Sequence, residues 1–121
     1  MSKITRSGMI KKLDTLYSKI IRSKGYCDRC GKGGEMQTSH IFGRGNKRLR
    51  WVLDNAFCFC TDPYGDDCHR WWHNNRKESM EWAEGERDLD ELRELMKINA
   101  PISMDELQEY YENLKLEQGI F

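Results

Sequence analysis

The stretch CHRWWHNN, residues 68–75, places two histidines four residues apart directly behind a cysteine. On a helix His69 and His73 would share one face, because residues four apart are neighbours on a helix surface. Imidazole is the commonest metal ligand in proteins. The spacing therefore predicts a helix face that contacts a metal ion or a phosphate group.

Cysteine spacing predicts a second, structural metal site. The N-terminus lacks an apolar signal segment, so the chain is predicted to be intracellular, where metal binding is favoured over disulfides. A Cys-x2-Cys pair followed by a second pair some thirty residues later can close a tetrahedral zinc site. The favoured ligands are Cys27, Cys30, Cys60 and Cys68. Cys58 remains an alternative ligand or a small buried residue.

The zero net charge conceals a basic front half and an acidic end. Residues 1–50 carry 13 Lys and Arg against 3 Asp and Glu, whereas residues 78–121 carry 4 against 13. A basic half indicates a polyanionic partner, most simply nucleic acid. The alternative is a dipolar surface with no partner.

A basic loop follows His40 in the sequence. Its cations are Arg44, Lys47, Arg48 and Arg50. Such groups can neutralise backbone phosphates, and we therefore predict that this loop binds DNA. The alternative is a solvated loop without a ligand.

The periodicity predicts one domain over 1–121 with three parts. A basic amphipathic helix covers 3–23, a core with two short strands and a helix covers 26–75, and acidic helices cover 77–121. The first strand is expected over MQTSHIF, and the second follows a turn at Asp54 and Asn55. In the acidic part, Gly85 is expected to close a short helix, and the capping box from Ser103 to Glu106 to open the last one, through about Leu116. No stretch is apolar and long enough to span a membrane.

The order of these residues resembles a known family. The chain contains, in this order, Cys27-x2-Cys30, His40 within SHI, Asn55, and the second cysteine pair with His69. This arrangement resembles that of the HNH, or ββα-metal, endonucleases. More closely, the pattern resembles small phage and prophage proteins similar to the NinG recombination nucleases. The resemblance covers residues 10–83 and is strongest over 26–75. It implies an α+β, mostly helical fold with a ββα-metal core, flanked by an N-terminal helix and C-terminal helices.

The resemblance also implies roles for individual residues. His40 would be the general base, Asn55 would hold the loop between the strands, and His69 would bind a catalytic divalent ion, with His73 as a further ligand. The four cysteines would hold a structural Zn2+. The catalytic ion would be Mg2+, Mn2+, Ni2+ or Zn2+. Ser39 is a departure, because that position in the family is commonly a metal-binding Asp or His, and residues 61–67 look like an insertion within the zinc site.

The expected function is metal-dependent hydrolysis of DNA phosphodiester bonds, by a phage-encoded enzyme of DNA recombination or processing in the host cytoplasm. The substrate would be duplex or branched DNA. A zinc-stapled nucleic-acid-binding module without catalysis is the main alternative, and a protein–protein adaptor is a third. The acidic helices could cover the core, dock on the basic helix, or bind a protein partner or a second copy.

Overall fold

The computed structural model describes residues 4–119, in which five helices surround a two-stranded sheet. The elements are α1 (Arg6–Arg22), β1 (Met36–His40), a 3-10 turn (Leu53–Asn55), β2 (Ala56–Cys60), α2 (Cys68–Asn74), α3 (Arg76–Glu86), α4 (Leu89–Met96) and α5 (Met104–Gly119). About half of the chain is helical. The α+β class is confirmed at this level. Residues 1–3 and 120–121, included in the predicted ranges, lie outside the described part.

The sheet lies between α1 and the pair α2 and α3. β1 and β2 are antiparallel, with His40 opposite Ala56 and Met36 opposite Cys60. Because successive side chains alternate between faces, each strand contributes to both layers. On one face Phe57 and Phe59 pack against Trp72, with ring centroids 5.6 and 5.5 Å apart. Every residue of β2 is buried, as expected for a strand covered on both faces.

Helix α1 covers the other face of the sheet. Thr5 caps its N-terminus by accepting a hydrogen bond from the Gly8 amide at 3.0 Å. Ser18 and Thr38 join α1 to β1 through their hydroxyl groups, 3.0 Å apart. Of the apolar stripe that the periodicity predicts, four side chains are buried and Ile10 and Ile21 are partly buried; the buried ones are Leu13, Leu16, Tyr17 and Ile20. Met9, which was not predicted, is buried with them.

The acidic C-terminal helix α5 packs along the basic helix α1. Leu107 and Leu114 are buried in the same apolar cluster as Leu13. The ammonium group of Lys12 lies 5.7 Å from the centre of the Tyr111 ring. Of the alternatives left open for the acidic helices, docking on the N-terminal helix is therefore observed for α5. Helices α3 and α4 instead cover the core, where Ala83, Leu89 and Leu92 are buried with the strand residues.

The element boundaries differ from the predictions in four places. The N-terminal helix, predicted over 3–23, covers Arg6–Arg22. The first strand ends at His40 and does not reach Phe42. Gly85 does not close α3, which continues to Glu86, because this glycine lacks the positive φ angle of a terminating residue. The last helix reaches Gly119. Its predicted capping box is present: Ser103 Oγ accepts from the Glu106 amide at 3.1 Å, and Glu106 Oε1 accepts from the Ser103 amide at 3.3 Å. None of the described helices is both long and apolar enough to cross a bilayer.

Candidate functional site

Four cysteines from three parts of the chain meet at one end of the sheet. Cys27 and Cys30 come from the turn between α1 and β1, Cys60 ends β2, and Cys68 begins α2. Their sulfur atoms all lie within 4.8 Å of one another, and those of Cys30 and Cys60 are 3.7 Å apart. In a tetrahedral site with Zn–S bonds of about 2.3 Å, sulfur atoms are about 3.8 Å apart. The four predicted cysteines therefore form a possible metal site with the donor set of structural zinc.

The backbone around the first cysteine pair is arranged to support thiolates. Gly31 has a φ angle of +77°, which a glycine adopts without strain, and its amide donates to the Cys27 carbonyl at 2.9 Å. The Arg29 amide donates to Cys27 Sγ at 3.4 Å, and the Cys68 amide donates to Cys60 Sγ at 3.5 Å. Such N–H···S contacts favour the charged form of sulfur, which is the form that binds metal.

The thiol pKa values differ widely within this cluster. Burial raises the pKa of Cys27, but hydrogen bonds from the backbone of Cys30, Cys60 and Arg29 outweigh it and lower the pKa to about 7. Burial raises the pKa of Cys68 to about 12. Four neighbouring thiolates repel one another, so a bound divalent cation is what allows them all to ionise.

Cys58 does not belong to this group. It is buried between the strands and α1, and burial raises the pKa of its thiol to about 11. Its backbone exchanges two hydrogen bonds with Asp28: the Cys58 amide donates to Oδ2, and the Cys58 carbonyl accepts from the Asp28 amide, both at 2.8 Å. Of the two readings left open for Cys58, the small buried residue is the one observed.

The loop 61–67 folds back on itself, which lets Cys60 and Cys68 meet despite their long separation. Asp67 is the N-cap of α2, and its Oδ1 accepts from the Arg70 amide at 2.6 Å. The other oxygen of the same carboxylate accepts from the Asp62 amide at 2.7 Å. One carboxylate thus ties both ends of the loop to the start of α2.

Arg29 connects the cysteine cluster to α2. Its guanidinium group lies 3.6 Å from the centre of the Trp71 ring, and its Nη1 lies 3.6 Å from Cys68 Sγ. The cation both stacks on the indole ring and donates to a ligand sulfur. We had not singled out this residue from the sequence, where nothing but its place between two cysteines marks it.

His40, at the end of β1, is held by a hydrogen bond and an aromatic stack. Its Nε2 lies 3.2 Å from the Arg50 carbonyl oxygen, and its ring stacks on Tyr17 with centroids 5.2 Å apart. Since a carbonyl only accepts, this contact assigns the proton of a neutral ring to Nε2 and leaves the Nδ1 lone pair free. Burial lowers the pKa of His40, an effect only partly opposed by the hydrogen bond to Arg50.

Asn55 closes the long loop between the two strands. Its side chain is fully buried, accepts from the Phe42 amide at 3.0 Å and donates to the carbonyls of Phe42 and Leu49 at 2.9 and 3.1 Å. Its backbone carbonyl accepts from Ile41, the residue after His40, at 2.8 Å. The loop that carries the basic residues is therefore fixed at its base.

Two of the four predicted DNA-binding cations are engaged within the chain. Arg50 makes a bidentate ion pair with Asp14 of α1, at 2.9 and 2.6 Å, and Arg48 pairs with Glu106 of α5 at 2.6 Å. Arg44 and Lys47 are exposed, and no carboxylate of residues 4–119 lies within 4.0 Å of either. The structure thus leaves these two side chains of the loop available to an external anion.

Asp14 and Tyr17 were missed in the sequence, although both surround His40. Asp14 also accepts from Trp51 Nε1 at 3.0 Å, and hydrogen bonds from Arg50 and Trp51 outweigh its burial and lower its pKa. Asp14 could have been identified in the sequence, because it is the only acidic residue before position 28. Tyr17 gave no such signal, since it fits the apolar stripe of α1.

His69 and His73 lie together, but apart from His40. Their ring centroids are 4.7 Å apart, and they border a cleft of about 520 Å³ with Gln37 and the loop 61–67. Gln37 and His40 point to opposite faces of β1, so the histidine pair is on the α2 side and His40 on the α1 side. Across residues 4–119, the four cysteines are the only group of three or more metal-binding side chains.

Ser39 faces the α2 side of the sheet. It is 2% exposed, and its hydroxyl oxygen has no hydrogen-bond partner among the described residues. It stands where the resemblance expects an acidic or histidine ligand. The hydroxyl adds no strong metal ligand to the histidine pair.

Comparison of the chain with family models, with curated proteins and with solved structures found no match.

Proposed function

We propose that this protein is an HNH-type endonuclease that hydrolyses DNA phosphodiester bonds, with His40 as the general base and a structural Zn2+ on the four cysteines. The observation that carries the proposal is the contact between His40 Nε2 and the Arg50 carbonyl. It orients the ring and keeps Nδ1 as an acceptor for the proton of a water molecule. Because burial lowers the pKa of His40, the ring is neutral and competent as a base near neutral pH.

The surroundings of His40 suit a phosphodiester substrate. Arg44 and Lys47 are exposed on the loop that follows it and carry positive charge toward the phosphates. Arg50 is the anchor of the base, since its carbonyl holds the ring while its guanidinium is fixed by Asp14. Because the His40 ring is already held in place, it loses little conformational freedom when water and phosphate bind.

A catalytic ion would be held by His69 and His73. Two imidazoles whose centroids are 4.7 Å apart on one helix face can bind the same ion, with water and phosphate oxygens in the remaining positions. When bound, such an ion offsets charge on the phosphate and on the leaving oxygen. His40 leaves β1, an edge strand of the sheet, on the α1 side, whereas His69 and His73 lie on α2 at the other face, so the proposal requires the scissile phosphate to lie across that edge.

The second candidate is a zinc-stapled nucleic-acid-binding module without catalysis. It is favoured by the absence of a third metal-binding side chain beside His69 and His73 within residues 4–119, and by Ser39 at the position of a stronger ligand. Both candidates keep the cysteine site and the exposed cations. They differ only in whether His40 acts on water.

Cleavage of supercoiled plasmid and of a branched duplex, with Mg2+, Mn2+ or Ni2+, tests the proposal. The reference is a reaction without added divalent ion, since a chelator would also remove the structural metal. His40→Ala should abolish cleavage while retaining zinc content, the circular dichroism spectrum and DNA affinity. Lys47→Ala is the matched control and should weaken binding but leave cleavage at saturating protein unchanged. DNA binding without cleavage under every ion would establish the second candidate instead.

A further inference from the structure

We infer that the outward face of α1 is a second DNA-binding surface, which holds the phosphate backbone of a duplex. This basic face consists of Lys11, Lys19 and Arg22. The inference rests on the proposed function for the identity of the partner as DNA. It assigns binding to a helix to which the resemblance gives no binding residue.

The basic face is unpaired within the described chain. Lys11, Lys19 and Arg22 are exposed, and no carboxylate of residues 4–119 lies within 4.0 Å of their charged groups. The only acidic side chain of α1 is Asp14, and both of its oxygens are occupied by Arg50 and Trp51. The positive charge of this face is therefore not neutralised from within the helix.

The spacing of these cations matches a polyanion that runs along the helix. At 100° per residue, the three side chains fall within about 80° of one another on the helix circumference. From Lys11 to Arg22 the helix rises about 16 Å. One DNA strand carries a phosphate about every 3.4 Å along its axis, so the face spans about five phosphates.

The same helix also contacts the proposed base, from another part of its surface. Tyr17 stacks on His40, and Asp14 holds Arg50, whose carbonyl contacts that ring. The loop after His40 adds the exposed cations Arg44 and Lys47, which have no carboxylate of residues 4–119 within 4.0 Å. α5 packs on α1 through Leu107 and Leu114, and its Tyr111 lies beside Lys12, a side chain outside the basic face.

Fluorescence anisotropy of a labelled 20-base-pair duplex, without added divalent ion, tests the inference. The variant is Lys11→Glu with Lys19→Glu. The matched control is Lys97→Glu with Lys115→Glu, which makes the same charge change on the acidic half, where both lysines have carboxylate neighbours. Zinc content and thermal unfolding show that each protein is folded. A neutral variant, Lys11→Gln with Lys19→Gln, removes the same two positive charges without adding negative ones. It therefore separates the loss of phosphate contacts from repulsion between glutamate and phosphate.

We expect the basic-face variant to weaken duplex binding at least about 10-fold at 0.1 M salt, and the control to change it less than about 3-fold. The slope of log K against log salt concentration is negative, and its magnitude should decrease by about 2, because each lost phosphate contact contributes about 0.9. Equal affinity of the variant and the wild type would overturn the inference while leaving cleavage by His40 to be judged separately. Tighter binding to a matched RNA duplex or to an acidic polypeptide than to DNA would also overturn it.

Discussion

The cysteine cluster and the histidines differ in how far the folded chain has already assembled them. Four sulfur atoms from three segments lie within 4.8 Å of one another. His40, by contrast, leaves β1 on the α1 side, whereas His69 and His73 lie together on the α2 side. The cysteines need only an ion to form a metal site. The three histidines can act together only on a substrate that reaches from one face of β1 to the other.

The difference follows from what each group does for the fold. A metal on the four cysteines would join the turn before β1, the end of β2 and the start of α2, so its binding energy is folding energy. The histidines do not join separate segments of the chain, because the hydrophobic clusters already hold those segments together. We therefore expect changes in the cysteines to affect stability, and changes in the histidines to affect activity.

Loss of a zinc ligand should have the largest effect. Cys27→Ser removes one of four thiolates, and structural zinc sites contribute apparent binding free energies of about 10–16 kcal/mol. We expect zinc content near zero and loss of the cooperative thermal transition, or a fall of more than about 15 °C in its midpoint. Cys58→Ala, which removes a buried thiol outside the group, should keep its zinc. Equal zinc loss in the two variants would contradict the assignment of ligands.

Removal of the proposed base should have the next largest effect, on rate alone. His40→Ala should lower the rate of DNA cleavage by about 10²- to 10⁴-fold, the usual contribution of a general base. Single-turnover cleavage at saturating protein measures it. The unfolding midpoint should change by only a few degrees. A His40→Ala protein that melts like the cysteine variant would show that the two regions do not differ as argued.

The pH dependence should follow the lowered pKa of His40. Burial favours the neutral ring, so the unfolded chain, with a pKa of about 6.5, binds the proton more readily than the folded one. The contribution of the neutral His40 ring to the free energy of unfolding is therefore fully present above pH 6.5. It is lost as the pH drops through the folded-state pKa. The cleavage rate should fall in that same lower range. The charged groups nearest the ring are Arg44, Arg50 and Asp14. NMR titration of the His40 ring protons measures its pKa, and a value above 6.5 would contradict the argument.

The helix histidines should affect the metal requirement. His73→Ala should raise the Mn2+ or Ni2+ concentration needed for half-maximal cleavage by about 10- to 100-fold, as disturbed metal sites do. Structural zinc, measured by mass spectrometry, should be unchanged. Asn74→Ala, one residue further on the same helix, is the control. If both variants keep the wild-type metal dependence, the pair does not hold the catalytic ion.

Weakening the ion pair between Asp14 and Arg50 should have a small effect on stability. Asp14→Asn weakens a bidentate contact whose partners are 22–23% exposed, which should cost about 1–2 kcal/mol in free energy of unfolding. Glu94→Gln removes the exposed partner of Lys97 and should cost less than about 0.5 kcal/mol. Urea denaturation compares the two. If His40 depends on this pair, Asp14→Asn should also shift the NMR pKa of its ring, which Glu94→Gln should not.

Local patterns in the sequence were sufficient for most of the elements. The apolar stripe of α1 and the capping box at Ser103 depend on residues within a few positions of one another, and both are confirmed. The four cysteines were also predictable, because metal binding restricts both residue type and spacing. The end of α3 was wrong, since an isolated glycine permits a helix terminus but does not require one.

What the sequence alone determined, then, is which residues can bind metal, carry charge or form helices. Only the tertiary structure decided which of them meet. Arg48 pairs with Glu106, and Arg50 with Asp14, across separations of 58 and 36 residues. His40 and the helix histidines, all within one 34-residue window of the sequence, are placed on opposite faces of β1. Contacts of this kind depend on how α1 and α5 pack around the sheet, and that packing is set by the whole core rather than by any local pattern.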